Sequence, residues 1–238
     1  MYFKKDLINY KFSFKFNDER TIKFDIKIEP LTMTLLRDSF EYPEWTKMEH
    51  FRCNHCPLNG DEYKYCPVAV NLHCVINSFN NVSSFDKVFI EVTSDDRGYY
   101  KQTDVQSGVS SLIGILMVTS GCPIMGKLKP MVRFHLPFAT LEETEYKVFS
   151  MYLLAQFMRK TNGKNPDWEL KKLQKFYDDI KILNLNVASK IADLEAKDAS
   201  INAVVVLNNF ADIVTFNIEE QDLSNFNLYF IDYINEDD

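Results

Sequence analysis

Residues 8 to 29 alternate apolar and polar side chains across a turn. Tyr10, Phe12, Phe14 and Phe16 share one face, Asn17-Asp18-Glu19-Arg20 can reverse the chain, and Ile22, Phe24, Ile26 and Ile28 continue the apolar set. Successive strand residues point to opposite faces, so this period predicts a β-hairpin with one buried face. The other face carries Lys11, Lys15, Lys23 and Lys27, as expected of a solvated sheet surface. Residues 87–93 and 99–104 repeat the pattern around Ser94-Asp95-Asp96-Arg97-Gly98, a strong turn signal. Two one-sided hairpins are marginal alone. The expected fold is therefore α+β, with an N-terminal antiparallel sheet of two hairpins packed on a C-terminal antiparallel helical array.

From residue 105 the period becomes helical. Asp104 is placed to cap a helix carrying Val105, Val109, Leu112, Ile113 and Leu116, and Gly121 falls where a left-handed cap ends it. Thr140-Leu141-Glu142-Glu143 is a capping box. It opens a helix to about residue 160 that is apolar nearly all round, and so is expected at the centre. Glu142, Glu143 and Glu145 are read as serving this helix start rather than acid-base chemistry. Asn165-Pro166-Asp167 predicts the start of a long helix to about residue 196, its apolar stripe interrupted by Asn184. Helices at about 199–218 and 222–235 complete the array. The expectation is one domain over 1–238, with hairpins and a cysteine-rich loop in 1–104 and the helical array in 105–238.

With 46% hydrophobic residues, the 238-residue chain can bury a sizeable core without disulfide support. Seven glycines leave little room for a glycine-rich phosphate loop. The net charge of -7 argues against nucleic acid as the main partner, which needs a positive surface. The opening Met-Tyr-Phe-Lys-Lys-Asp has no apolar leader, and the near-apolar run Val109 to Val118 is about half of what a membrane helix needs. A soluble cytoplasmic protein without membrane insertion is expected.

Five cysteines, an odd number with a C-x-x-C pair, point to metal or thiol chemistry rather than extracellular disulfides. Cys53 and Cys56 can converge on one tetrahedral ion. Cys66 precedes Pro67 and is placed at a helix start, where the dipole favours a thiolate. Cys74 is about 12 Å further along that helix, at 1.5 Å per residue, and is expected to be a packed core thiol. Cys122, in Ser120-Gly121-Cys122-Pro123, is the better fourth ligand, ahead of His50, His55, His73 and His135. Four thiolates in a small loop point to structural zinc. Three of these cysteines precede proline, as also occurs beside iron-sulfur ligands, so a cluster is the alternative cofactor. Lys127, Lys129, Arg133 and His135 follow Cys122 and form a candidate site for an anion or an acidic partner.

The sequence resembles an uncharacterised bacterial family of unknown function. The resemblance rests on Cys53-x-x-Cys56-Pro57-Leu58, Cys66-Pro67-Val68-Ala69, Ser120-Gly121-Cys122-Pro123, His135-Leu136-Pro137-Phe138 and Ser150-Met151-Tyr152-Leu153-Leu154-Ala155-Gln156. It spans nearly the whole chain and implies shared importance of Cys53, Cys56, Cys66 and Cys122, with no activity attached. The expected function is that of a metal-stabilised accessory or regulatory protein acting on an unidentified protein partner. The alternative is an iron-sulfur or dithiol redox enzyme or sensor with Arg133 and His135 on its substrate side. No nucleophile-base-orienter set is visible. Asn184 and Asn208 are read as core hydrogen bonds or as part of a homo-oligomer contact.

Overall fold

Phe14 is fully buried where the two hairpins meet, paired with Ile22 on one side and Ile90 on the other. A computed structural model of the chain describes residues 6–37, 41–220 and 223–236. The sheet has the antiparallel order β3-β2-β1-β4-β5, built from β1 (Ile8–Phe16), β2 (Thr21–Glu29), β3 (Thr34–Leu35), β4 (Lys87–Ser94) and β5 (Gly98–Asp104). The registers place Phe12 opposite Phe24 and Val92, so the alternating apolar sets stack into one face. Glu19 adopts φ 68° in the first turn, and the four lysines lie on the exposed face. Both hairpins form as the alternation predicts.

Two helices cover the apolar face. On α2 (Pro67–Phe79), Phe79 meets Phe14 edge to face, with ring centroids 5.0 Å apart. On α3 (Val105–Val118), Gly108 lies so close to the sheet that a Cβ there would stand 1.8 Å from Ile90 Cδ1. Asp104 caps α3 by accepting from Ser107 N–H at 3.0 Å, and Gly121 beyond its end has φ 94°.

The helical layer comprises α4 (Lys129–Phe134), α5 (Leu141–Thr161), α6 (Lys171–Ala192), α7 (Ala199–Glu220) and α8 (Asn227–Ile234). One continuous core cluster runs from sheet residues such as Phe12 to Val214 of α7. The central helix is α7, packed along both α6 and α3. Among the described residues it is the one helix long and apolar enough to cross a membrane by length and composition. Its Asn202, Asn208, Asp212 and Asn217 interrupt any unbroken apolar run, which is why run length passes over it.

The expectation of a central α5 is not met. Its first half packs through Val148 and Phe149, but Leu154, Phe157 and Met158 are more than half exposed. The helix is not apolar on every side, since Glu142, Glu143, Lys147, Arg159 and Lys160 break its faces, and α7 takes the central place. The long helix starts later than its Asn-Pro-Asp signal because Leu170, at φ 60°, breaks the backbone before Lys171. Asp167 instead accepts from Lys172 N–H at 2.7 Å and from the Tyr152 hydroxyl at 2.7 Å, tying α5 to the start of α6. Parts of the opening Met-Tyr-Phe-Lys-Lys-Asp, and the start expected for the last helix at 222, lie outside the described residues.

Candidate metal centre

Cys53, Cys56, Cys66 and Cys122 line one cavity, walled by Phe51, Leu58, Ile124, Leu183 and Val187. Three chain segments supply these thiols. Cys53 and Cys56 flank a tight turn after the short helix α1 (Met48–Phe51), closed by Cys56 N–H donating to the Cys53 carbonyl at 3.0 Å. Two contacts fasten this turn to α6. His55 Nε2 lies 2.9 Å from the Asp179 carbonyl, and Asn186 Nδ2 donates to the Phe51 carbonyl at 3.4 Å.

Cys66 and Cys122 are held alike. Each is followed by proline, and each carbonyl accepts from the N–H four residues on, Val70 at 3.0 Å and Gly126 at 2.9 Å. Cys66 is the N-cap of α2, and Cys122 leads into the 3-10 turn Met125–Leu128. The backbone amides of Ala69 and Val68, and those of Met125 and Ile124, act on the two sulfurs in the direction that favours a thiolate. Proline at the first helical position removes an N–H that would have no partner and fixes the turn that presents these amides.

A network of three polar side chains sets the spacing of these two turns. Arg37 Nε donates to Asn71 Oδ1 at 2.6 Å, and Arg37 also reaches the Ser120 carbonyl at 2.5 Å. Asn71, buried on α2, donates to the Leu116 carbonyl of α3 at 2.7 Å. Cys122 N–H donates to Ser120 Oγ at 3.1 Å. Sequence reasoning missed Arg37, Asn71 and Ser120 as supports. Asn71 did carry a signal, as a polar residue amid apolar neighbours one turn after Cys66.

Burial dominates the electrostatics. It pushes the Cys53 thiol up to about 12 and the Cys66 thiol up to about 11, and raises that of Cys122, with charge on neighbouring cysteines adding to the effect. No lysine or arginine figures among the groups acting on these three sulfurs. Metal-free thiols so placed stay protonated and make poor nucleophiles at neutral pH, whereas a reactive dithiol needs a depressed pKa. A bound cation would supply positive charge here and displace the protons.

Size discriminates between occupants. The cavity holds about 10 Å³ of free space, which is about one water-sized atom. Among the described residues, the group of three or more potential ligand atoms within 4.8 Å of one another is Glu44, Glu49 and His50 on the exposed surface. No three of the four cysteine sulfurs therefore lie within 4.8 Å of one another, whereas four zinc-sulfur bonds of about 2.3 Å set the sulfurs about 3.8 Å apart. One ion fits if the sulfurs draw inward. A four-iron cluster needs more room than the cavity has.

The other candidates disperse. Cys74 is exposed, with its Sγ 3.2 Å from His73 Nε2, so the expectation of a packed core thiol is corrected. It sits on the face of α2 turned away from α3 and the sheet. Lys127 Nζ lies over the Phe176 ring at 4.8 Å, Lys129 donates to the Thr32 carbonyl at 2.5 Å, and Arg133 is exposed. His135 turns inward and lines a second, larger cavity. Glu143 completes the capping box of α5, while Glu145 is buried and bound by Asn217 and Asn225. The exposed Glu44-Glu49-His50 trio surrounds Lys47, which pairs with both glutamates.

A family model described as a domain of unknown function (DUF6901) matches residues 8–231. No curated protein and no solved structure matches the chain.

Proposed function

Within the DUF6901 family, to which this chain belongs, we propose that Cys53, Cys56, Cys66 and Cys122 hold one zinc ion that fastens the N-terminal sheet region to the helical layer. The observation that carries this reading is the convergence of four thiols from three distant segments on a cavity large enough for one atom. Four protein ligands leave no open coordination position, so the ion's role is structural. The work of the protein then falls to its surface, consistent with an accessory protein that binds a protein partner. Supporting this, Leu154, Phe157 and Met158 of α5 and Leu228, Tyr229 and Tyr233 of α8 are exposed. The two helices are joined by Tyr146 stacked on Phe230, with ring centroids 6.3 Å apart. Clustered exposed apolar residues of this kind mark interaction surfaces on soluble proteins.

A second reading, an iron-sulfur protein, is favoured by the prolines after three of the cysteines. Metal analysis and a visible spectrum of protein purified without oxygen and without added metal separate the two. One colourless zinc per chain supports the structural site. Iron with cluster absorption moves the assignment to the redox reading.

A further inference from the structure

The larger cavity has no role in the metal centre. It holds about 270 Å³ between α3, α6 and α7 on one side and the segment from Met125 to Ala139 on the other, close to the lower size of small-molecule pockets. We propose that it is a binding site for an uncharged, mainly apolar small molecule carrying one hydroxyl group, which hydrogen-bonds to the amide of Asn184.

The chemistry of the walls specifies this ligand. Most polar side chains lining the cavity are already engaged: the Tyr10 hydroxyl donates to the Val132 carbonyl at 2.7 Å, Thr144 to the Thr140 carbonyl at 2.8 Å, and Ser110 to the Ser107 carbonyl at 2.9 Å. Asn184 is one exception. It is 2% exposed, and its Oδ1 has no partner among the described residues. Buried amide oxygens are rarely left unpaired, because the lost hydration goes uncompensated. Tyr177, two helical turns earlier on the same face of α6, also lines the cavity. Opposite, His135 Nδ1 is also unpartnered. Among the described residues no aspartate, glutamate or arginine lines the cavity, and the one lysine that does, Lys101, is exposed. A charged head group would enter this interior without a counter-ion, whereas a hydroxyl can pair with the amide of Asn184, which lines the cavity without a hydrogen-bond partner for its oxygen. This site is independent of the zinc assignment, since none of the four cysteines lines it.

The test compares 4-butylphenol, butylbenzene and 4-butylbenzoate, which share a body and differ in the polar group, by calorimetry and thermal shift on the full chain as purified. The phenol is expected to bind at least tenfold more tightly than either other probe. Asn184→Leu is expected to abolish that preference while butylbenzene still binds and the protein remains folded by circular dichroism. Gly114→Leu fills the cavity from α3, where a Cβ would meet Leu207 Cδ2 at 3.7 Å without clash, and is expected to block all three. Failure of every probe to bind overturns the proposal. So does a phenol preference that survives Asn184→Leu, or binding that is unchanged in a folded Gly114→Leu protein.

Discussion

Cys66 and Cys122 occupy equivalent local frames: a cysteine, a proline, and a carbonyl that accepts from the amide four residues on. The amides two and three residues on from each sulfur favour its thiolate. Repetition of one frame on two unrelated segments, facing one cavity, is what a shared ligand requires. Packing alone has no need of it.

Replacing Cys66 or Cys122 by serine should therefore remove the metal and most of the stability together, because structural zinc binding is coupled to folding with apparent energies of about 10 kcal/mol or more. Cys74→Ser, on an exposed thiol, should change neither by more than about 0.5 kcal/mol. Metal content and thermal denaturation of the variants check this pair of outcomes.

Arg37 and Asn71 touch no sulfur, yet they fix the distance between the two cysteine turns. Asn71→Ala should weaken metal binding about 10–100-fold, the usual cost of losing a support behind the ligands. Competition with a chelator of known affinity reads the loss. An unchanged affinity would show that the turns hold their spacing without this network.

Much of the fold was legible because its signals are local. The alternation of Phe12 and Phe14 set a strand, Asp104 and Thr140 capped their helices, and Gly121 ended one. The cysteine set was legible through elimination and spacing. What could not be read is decided between segments. Leu154 and Phe157 look like core residues, but α7 fills the space they would need. Arg37 shows no pattern along the chain, since its partners Asn71 and Ser120 are brought to it by folding. Asn184 announced itself as a break in an apolar stripe, but the cavity it lines is made by strands and helices from across the chain.

Gly108 marks the closest approach of α3 to the sheet. A methyl group there meets Ile90 Cδ1 at 1.8 Å and Phe14 Cε1 at 3.0 Å. Overpacking of this kind costs about 1–3 kcal/mol, against a helix-propensity gain of about 1 kcal/mol from glycine to alanine. Gly108→Ala should therefore destabilise on balance, and adding Ile90→Val should recover part of the loss. Urea unfolding of the single and double variants measures both.

His135 gives a pH dependence with a defined sign. Burial holds its pKa below the usual 6.5, with Glu143 opposing and Lys147 reinforcing the shift. Below about 6.5 the unfolded chain takes up a proton that the folded protein refuses, so stability falls as pH drops through that value and is fully present above it. His135→Gln should flatten the part of the stability curve between pH 7.5 and 5 that belongs to this residue. Denaturant midpoints of both proteins at the two pH values provide the comparison.

X-ray absorption at the zinc edge of the purified protein tests the central claim most directly. Four sulfur neighbours at about 2.3 Å, with no nitrogen or oxygen in the coordination shell, is the result predicted for Cys53, Cys56, Cys66 and Cys122 around one ion. A shell containing nitrogen or oxygen, or protein that retains all five thiols free and no metal, would contradict it.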